Sequence, residues 1–230
     1  MIAFLIYIFL KKYRTGSWTE TVLPIRKFLN ARFRIIFVGL IILLLLIPVL
    51  SKTQNLRLNY KIIKGGDDIG WLRIEKNITG NRSSLLLVSE IKTRMIFLIT
   101  VSAKESSAFE NGKLVYSSQF RKTNGSTKLD KQTRLVAEKY EVLKNGETEN
   151  LPISFISTNL LSLYFQEPVG INLVYCDNHE SFAKIIKTDD GGYKVKFPDG
   201  NSNCFYYSGG VCSKIKISHT FYSAEIILKP

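Results

Sequence analysis

The stretch 193-YKVKFPDGNSNCFYYSGGVCSKIKI-217 decides the fold. Tyr193, Val195 and Phe197 alternate with Lys194 and Lys196, and Val211, Ile215 and Ile217 alternate with Lys214 and Lys216. A period of two over this length is the mark of strands with one buried and one wet face. Asp199-Gly200 and Gly209-Gly210 interrupt the runs with residues that tolerate positive φ, as tight hairpin turns demand. The four lysines are therefore expected to face solvent while Val195 and Ile215 supply core.

Working outward, the same grammar covers the chain from Leu56 on. Leu56, Leu58, Tyr60 and Ile62 alternate with Arg57, Asn59 and Lys61. In the next clear run Leu114, Tyr116 and Phe120 are predicted on one face, with Lys113 and Ser117 on the other. Further turn signals stand at Gly65-Gly66, Gly80-Asn81, Asn111-Gly112, Asn124-Gly125, Asn145-Gly146 and Gly191-Gly192. This pattern predicts an all-β domain: an antiparallel, highly curved sheet, an incomplete barrel or β-roll. One segment departs from it. Ser157-Thr158-Asn159 offers helix caps, Leu160, Leu161, Leu163, Tyr164 and Phe165 follow at helical spacing, and Pro168 stops the run. A single short helix over 158–165 is predicted, covering an open end or edge of the sheet.

Upstream lies Ile35–Leu50, sixteen residues without a charge, preceded by Arg26, Lys27, Arg32 and Arg34. It is expected to form an N-terminal hydrophobic helix preceding the β-domain, of a length between a signal-peptide core and a membrane span. Pro48 and Val49-Leu50-Ser51 favour cleavage after Ser51, with a retained inner-membrane anchor as the alternative. Both place residues 52–230 outside the inner membrane, in the periplasm or at the outer membrane. Residues 1–34 form a basic leader, longer than a signal peptide needs. A translation start nearer Leu23, Ile25 or Leu29 is expected, the rival being a two-segment anchor formed with Ile2–Leu10. The chain thus divides into a leader (1–34), an apolar core (35–51) and an exported domain (52–230).

Of the formal net charge of +13, residues 1–51 carry +6, from seven Lys/Arg and one acid, and the exported part +7. That moderate basicity suits an anionic membrane or envelope partner. Nucleic-acid binding would need a denser cluster and a recognisable module, and neither is present. Cys176, Cys204 and Cys212 are odd in number, and free thiols are expected. A two-residue turn at Gly209-Gly210 pairs Tyr207 with Cys212 and Cys204 with Ile215, putting the two sulfurs on opposite faces.

Chemistry-bearing motifs are sparse. His179 and His219 stand forty residues apart in no ligand-spaced pattern, and no nucleophile elbow, P-loop or zinc-protease motif occurs. No cofactor or metal is expected, and no enzyme. The best candidate site is the helix exit, Tyr164-Phe165-Gln166-Glu167-Pro168, where a carboxylate stands beside two aromatics. Tyr206 and Tyr207, with apolar bodies and polar tips, are expected to complete a pocket for a lipid-like ligand. Helix termination and core packing are the plainer account of the same residues.

Tyr60 with Gly70, Asn111-Gly112-Lys113-Leu114-Val115-Tyr116-Ser117-Ser118, Asn124-Gly125, Tyr164–Pro168, Pro198-Asp199-Gly200 and the Gly210-to-Cys212 hairpin together carry a resemblance over about 57–230. The chain resembles an uncharacterised family of exported bacterial β-domain proteins, similar in outline to spiral β-roll or lipocalin-like envelope proteins. The resemblance implies a curved β-fold and a periplasmic place, and lends no catalytic residue. The expected function is that of a non-enzymatic envelope protein binding an apolar or amphipathic ligand, or a partner, in its curved sheet. The alternative is a structural or assembly factor acting through its basic surface.

Overall fold

The computed structural model describes residues 54–94, 97–220 and 222–230. The apolar core at 35–50, its expected helix and the leader lie outside the described residues. Among the described residues no helix is long and apolar enough to cross a membrane.

Fourteen strands form one antiparallel sheet: β1 (Gln54–Lys64), β2 (Asp67–Thr79), β3 (Arg82–Arg94), β4 (Leu98–Glu110), β5 (Lys113–Thr123), β6 (Ser126–Val136), β7 (Lys139–Lys144), β8 (Glu147–Leu151), β9 (Leu173–Cys176), β10 (Ser181–Lys187), β11 (Tyr193–Lys196), β12 (Ser202–Ser208), β13 (Val211–His219) and β14 (Tyr222–Leu228). Their spatial order runs β8 to β1, then β14 to β9. Every neighbouring pair is a sequential hairpin except β1 with β14, where the first and last described strands meet at Tyr60↔Leu228 and Ile62↔Ile226. β8 and β9 are the free ends of the sheet, which does not close. All eight glycine-bearing turns of the sequence fall between consecutive strands. The β6–β7 turn carries no such signal, since Ala137 and Glu138 adopt φ of 45° and 67° there.

The alternation read from 193–217 holds except at Val211, where an extra residue at Ser213 puts Cys212 in the core instead. Val195 and Ile215 are buried, Lys196 and Lys216 are exposed, and Lys194 and Lys214 are half-buried. Lys214 and Lys216 lie over the Tyr206 ring at 5.1 and 5.0 Å on the outer face. Val195→Ala or Ile215→Ala is expected to cost about 1–3 kcal/mol as a cavity. Lys194→Ala or Lys216→Ala should cost under about 0.5 kcal/mol. Equal losses at both sets in a urea titration would contradict this register.

Two sequence readings require correction. Register shifts by one residue between Ala108↔Tyr116 and Phe109↔Leu114, so Val115 is an extra residue in β5. Beyond that bulge the faces exchange: Leu114 is buried, but so are Ser117 and Gln119, while Tyr116 and Phe120 turn outward under Arg134 and Lys122. A bulge adds one residue to one strand, and simple alternation cannot register it. A similar shift between Tyr206 and Tyr207 places Cys204 opposite Lys216 rather than Ile215. The outcome for the thiols stands, because Cys212 faces the core, Cys204 does not, and all three cysteines are free.

The predicted helix is a single 3-10 turn, Leu160–Tyr164. Asn159 caps it, accepting from the Ser162 amide at 3.3 Å, and the Phe165 amide closes back on the Ser162 carbonyl at 3.1 Å. Glu167 precedes Pro168, which disfavours helical backbone at that residue and ends any continuation. The turn does not cap the sheet from outside. It belongs to the long connection from β8 to β9, which enters the concave side, where Ile156 accepts from the Leu114 amide at 2.8 Å. Leu161, Leu163 and Tyr164 join one continuous core with Tyr60, Phe205 and Ile215.

Candidate functional site

The concave face changes character across the sheet. One cross-strand row reads Ile74, Leu87, Glu105, Gln119, Lys131 over β2 to β6, and the next reads Leu72, Ser89, Ala103, Arg121, Leu129. Along the first row β2 and β3 supply apolar side chains to the interior and β4 to β6 supply polar ones. Ser107, Ser117, Gln119, Lys131 and Thr133 are all buried. Burying polar groups is costly unless they are paired, and most of these are. Asn159 donates to Ser107 Oγ at 2.6 Å and to Asp177 Oδ2 at 3.2 Å. Ser117 donates to the other Asp177 oxygen. Lys131 pairs with Glu180 at 2.9 Å and donates to the carbonyls of Asp177 and Asn178. Burial raises the Asp177 carboxyl above the usual range, with Ser117, Asn159 and Lys131 opposing.

Two cavities adjoin on this face. One, of about 520 Å³, is walled by Leu72, Leu87, Ile91, Val101, Leu161 and Phe205. The other, of about 310 Å³, is lined by Gln119, Asn178, His179, Asp199, Asn201 and His219. Glu105, Arg121, Leu160, Asn203 and Tyr222 line both. Burial, reinforced by Asp177, raises the Glu105 carboxyl, and Arg121 is the strongest influence lowering it. Both histidines, forty residues apart in sequence, stand at the polar end. His179 stacks on Phe197 and lies 3.9 Å from Asp199, and His219 stacks on Tyr222. Hydrogen bonds from Asn201 chiefly hold the Asp199 carboxyl below its ordinary range, with the two imidazoles as lesser causes. Among the described residues no group of three or more His, Cys, Asp or Glu is placed to hold a metal ion.

Of the three residues expected at the helix exit and the two tyrosines expected to complete the pocket, Tyr164, Glu167 and Tyr207 lie near one another, with Tyr193 between Glu167 and Tyr207, and Tyr206 lies apart. Tyr164 is a core residue, edge-on to Tyr60 at 5.4 Å and Phe205 at 6.4 Å, and also borders the larger cavity. Phe165 is buried with Lys76 over its ring. Tyr207 donates to the Leu163 carbonyl at 2.8 Å, not to Glu167. Glu167 accepts from Tyr193 at 2.7 Å. Tyr206 lies on the opposite face and donates to Asp190 at 2.8 Å. Four of the five tie the connection to the sheet. Glu167→Gln is accordingly expected to lower the stability of ligand-free protein by about 1 kcal/mol, the scale of a charged hydrogen bond weakened to a neutral one. Thermal melts of delipidated protein check this, and an unchanged melt would return Glu167 to the ligand.

Sequence reasoning missed the interior of β4 to β6. The runs Ala103–Ala108 and Ser117–Gln119 show no apolar alternation, and the signal was there in that lapse: serines, Glu105 and Gln119 in strands long enough to be central.

A family model described as Domain of unknown function (DUF6134) matches residues 60–229. Among solved structures, the chain is similar to the crystal structure of a beta-barrel-like protein of domain of unknown function DUF1849 from Brucella abortus. The TM-score is 0.51 at 12% identity, covering 77% of this chain and 96% of that one. That likeness concerns the fold alone. No curated protein matches the sequence. Neither the family nor the structural relative indicates an enzymatic class.

Proposed function

This chain belongs to the family described as Domain of unknown function (DUF6134), and from that premise we propose that its curved sheet binds an amphipathic ligand in an exported, non-enzymatic envelope protein. The observation that carries the reading is the pair of adjoining cavities, one lined mostly by apolar residues and the other mostly by polar ones, sharing Glu105 and Arg121. Ligand sites are mostly apolar concavities of roughly 300–1,000 Å³ with a few convergent polar groups. An aliphatic tail lies against Leu72, Leu87, Ile91 and Val101, and a polar head reaches the Glu105–Arg121 boundary. Native mass spectrometry of protein purified from its own cells tests this. A retained mass in the lipid range is expected, and bare protein under conditions that preserve other lipid complexes would overturn it.

Export rests on the 35–50 core and its basic flank. The mature amino terminus is expected near Lys52. Amino-terminal sequencing that returned Met1 would replace cleavage by an anchor.

A second reading, a structural or assembly factor working through a basic surface, is favoured by the convex face. Lys184 stands opposite Lys196, and Lys194 and Lys216 flank Cys204 across three strands. Salt-sensitive binding to anionic vesicles that survived filling of the cavity would support it over the first.

A further inference from the structure

We propose that the ligand's head is an acid, a carboxylate or a phosphate, and that Arg121 is the residue that selects it. The inference rests on the amphipathic-ligand reading above and names the chemistry of its polar end.

Arg121 occupies an inward position of β5, two residues beyond Gln119 and opposite Ala103. Its guanidinium borders both cavities, at the seam where apolar wall gives way to polar wall. The other interior cation, Lys131, is consumed by Glu180 and two carbonyls. Among the described residues Arg121 has no such partner: no hydrogen bond, ion pair or ring contact joins it to its neighbours. A guanidinium carries five donors in a planar fork that matches a carboxylate or phosphate. Arg121 is half-buried on the cavity wall with Glu105 as its charged neighbour, and a bound acid would take up the donors left open.

A second observation stands beside it. Gln119 is 7% exposed, and its Oε1 is buried without a partner. Native proteins leave few such atoms. An acceptor with open capacity next to an unpaired fork suits a head group that still carries a hydroxyl, such as a phosphate monoester or a protonated acid. Glu105, which lines both cavities with Arg121, is a carboxyl that competes for it. Burial raises its carboxyl above the ordinary range, with Arg121 the strongest influence opposing, and so weakens its competition with an incoming acid.

The test is a binding series on the full folded domain with four probes of one tail: dodecanoate, dodecyl phosphate, dodecanol and dodecylamine. Wild type is compared with Arg121→Met and Arg121→Lys, each checked by thermal melt. Wild type should prefer one or both acids over the alcohol by about tenfold or more, the scale of a charged hydrogen bond. Arg121→Met should erase that preference while leaving alcohol binding unchanged, and Arg121→Lys should keep part of it. The acid retained more tightly identifies the source, a free fatty acid or a lipid phosphate. Equal binding of alcohol and both acids, or tightest binding of the amine, would overturn the acid head and leave the chamber standing. Binding of none of the four would overturn the chamber and the acid head together.

Discussion

Replacing Lys131 by Met is expected to destabilise the domain by about 3–5 kcal/mol at neutral pH, the range for removing one partner of a buried ion pair. Lys131 is 2% exposed and is the hub of the interior network, holding Glu180 and the carbonyls of Asp177 and Asn178. Methionine fills similar volume but leaves those oxygens unanswered. The loss should depend on pH in a stated direction. Asp177 already has its carboxyl raised by burial, and Lys131 is one of the groups opposing that rise. Without Lys131 its folded-state pKa climbs further. A carboxyl raised on folding incurs no penalty below its unfolded value, about 4, where it is protonated in both states. The penalty then grows as pH rises through the folded value. The deficit of the variant relative to wild type should therefore be largest at neutral pH and shrink toward pH 4. Urea titrations at several pH values check both the size and the slope.

Gly70→Ala is expected to cost about 3 kcal/mol, the upper end of the overpacking range. A methyl group built on Gly70 would sit 2.1 Å from the Glu90 carbonyl oxygen and 2.9 Å from the Ile91 Cα. Both are backbone atoms of the neighbouring strand, so no rotamer relieves the contact. Gly70 pairs with Ile62 on one side and Ile91 on the other, next to a bulge in which Ile69 is the extra residue of β2. The clash would press β2 and β3 apart beside that bulge. A lower denaturation midpoint at unchanged slope is the expected signature.

Much of the fold was legible because turn chemistry and alternation are local. Asn111-Gly112 or Gly209-Gly210 announces a hairpin without reference to the rest of the chain. What escaped was non-local. Nothing in Tyr60 or Leu228 says that the first and last strands pair, because that contact depends on how far the intervening strands coil. The bulge at Val115 escaped because one extra residue leaves no compositional mark. Its consequence was large, since the interior of β5 was assigned to Tyr116 and Phe120 when Ser117, Gln119 and Arg121 occupy it. The candidate site suffered from the same cause. Tyr164 and Phe165, expected in a ligand pocket with core packing as the plainer account, are both buried, Tyr164 against Tyr60 and Phe205 and Phe165 under Lys76. His179 and His219 were set aside for their spacing in sequence, and topology brings them to one end of one cavity.

Filling the larger cavity tests the central claim most directly. Ala103 lies on its wall, opposite Arg121 on β5 and Ser89 on β3. Ala103→Trp should occupy the space where a tail lies. Titration of delipidated protein with a dansyl-labelled fatty acid should give saturable, one-to-one binding for wild type and a loss of at least about tenfold for the variant. That factor is about 1.4 kcal/mol of lost contact. The variant's thermal melt and circular dichroism should show it folded. A folded Ala103→Trp protein that bound the probe as tightly as wild type would contradict the account.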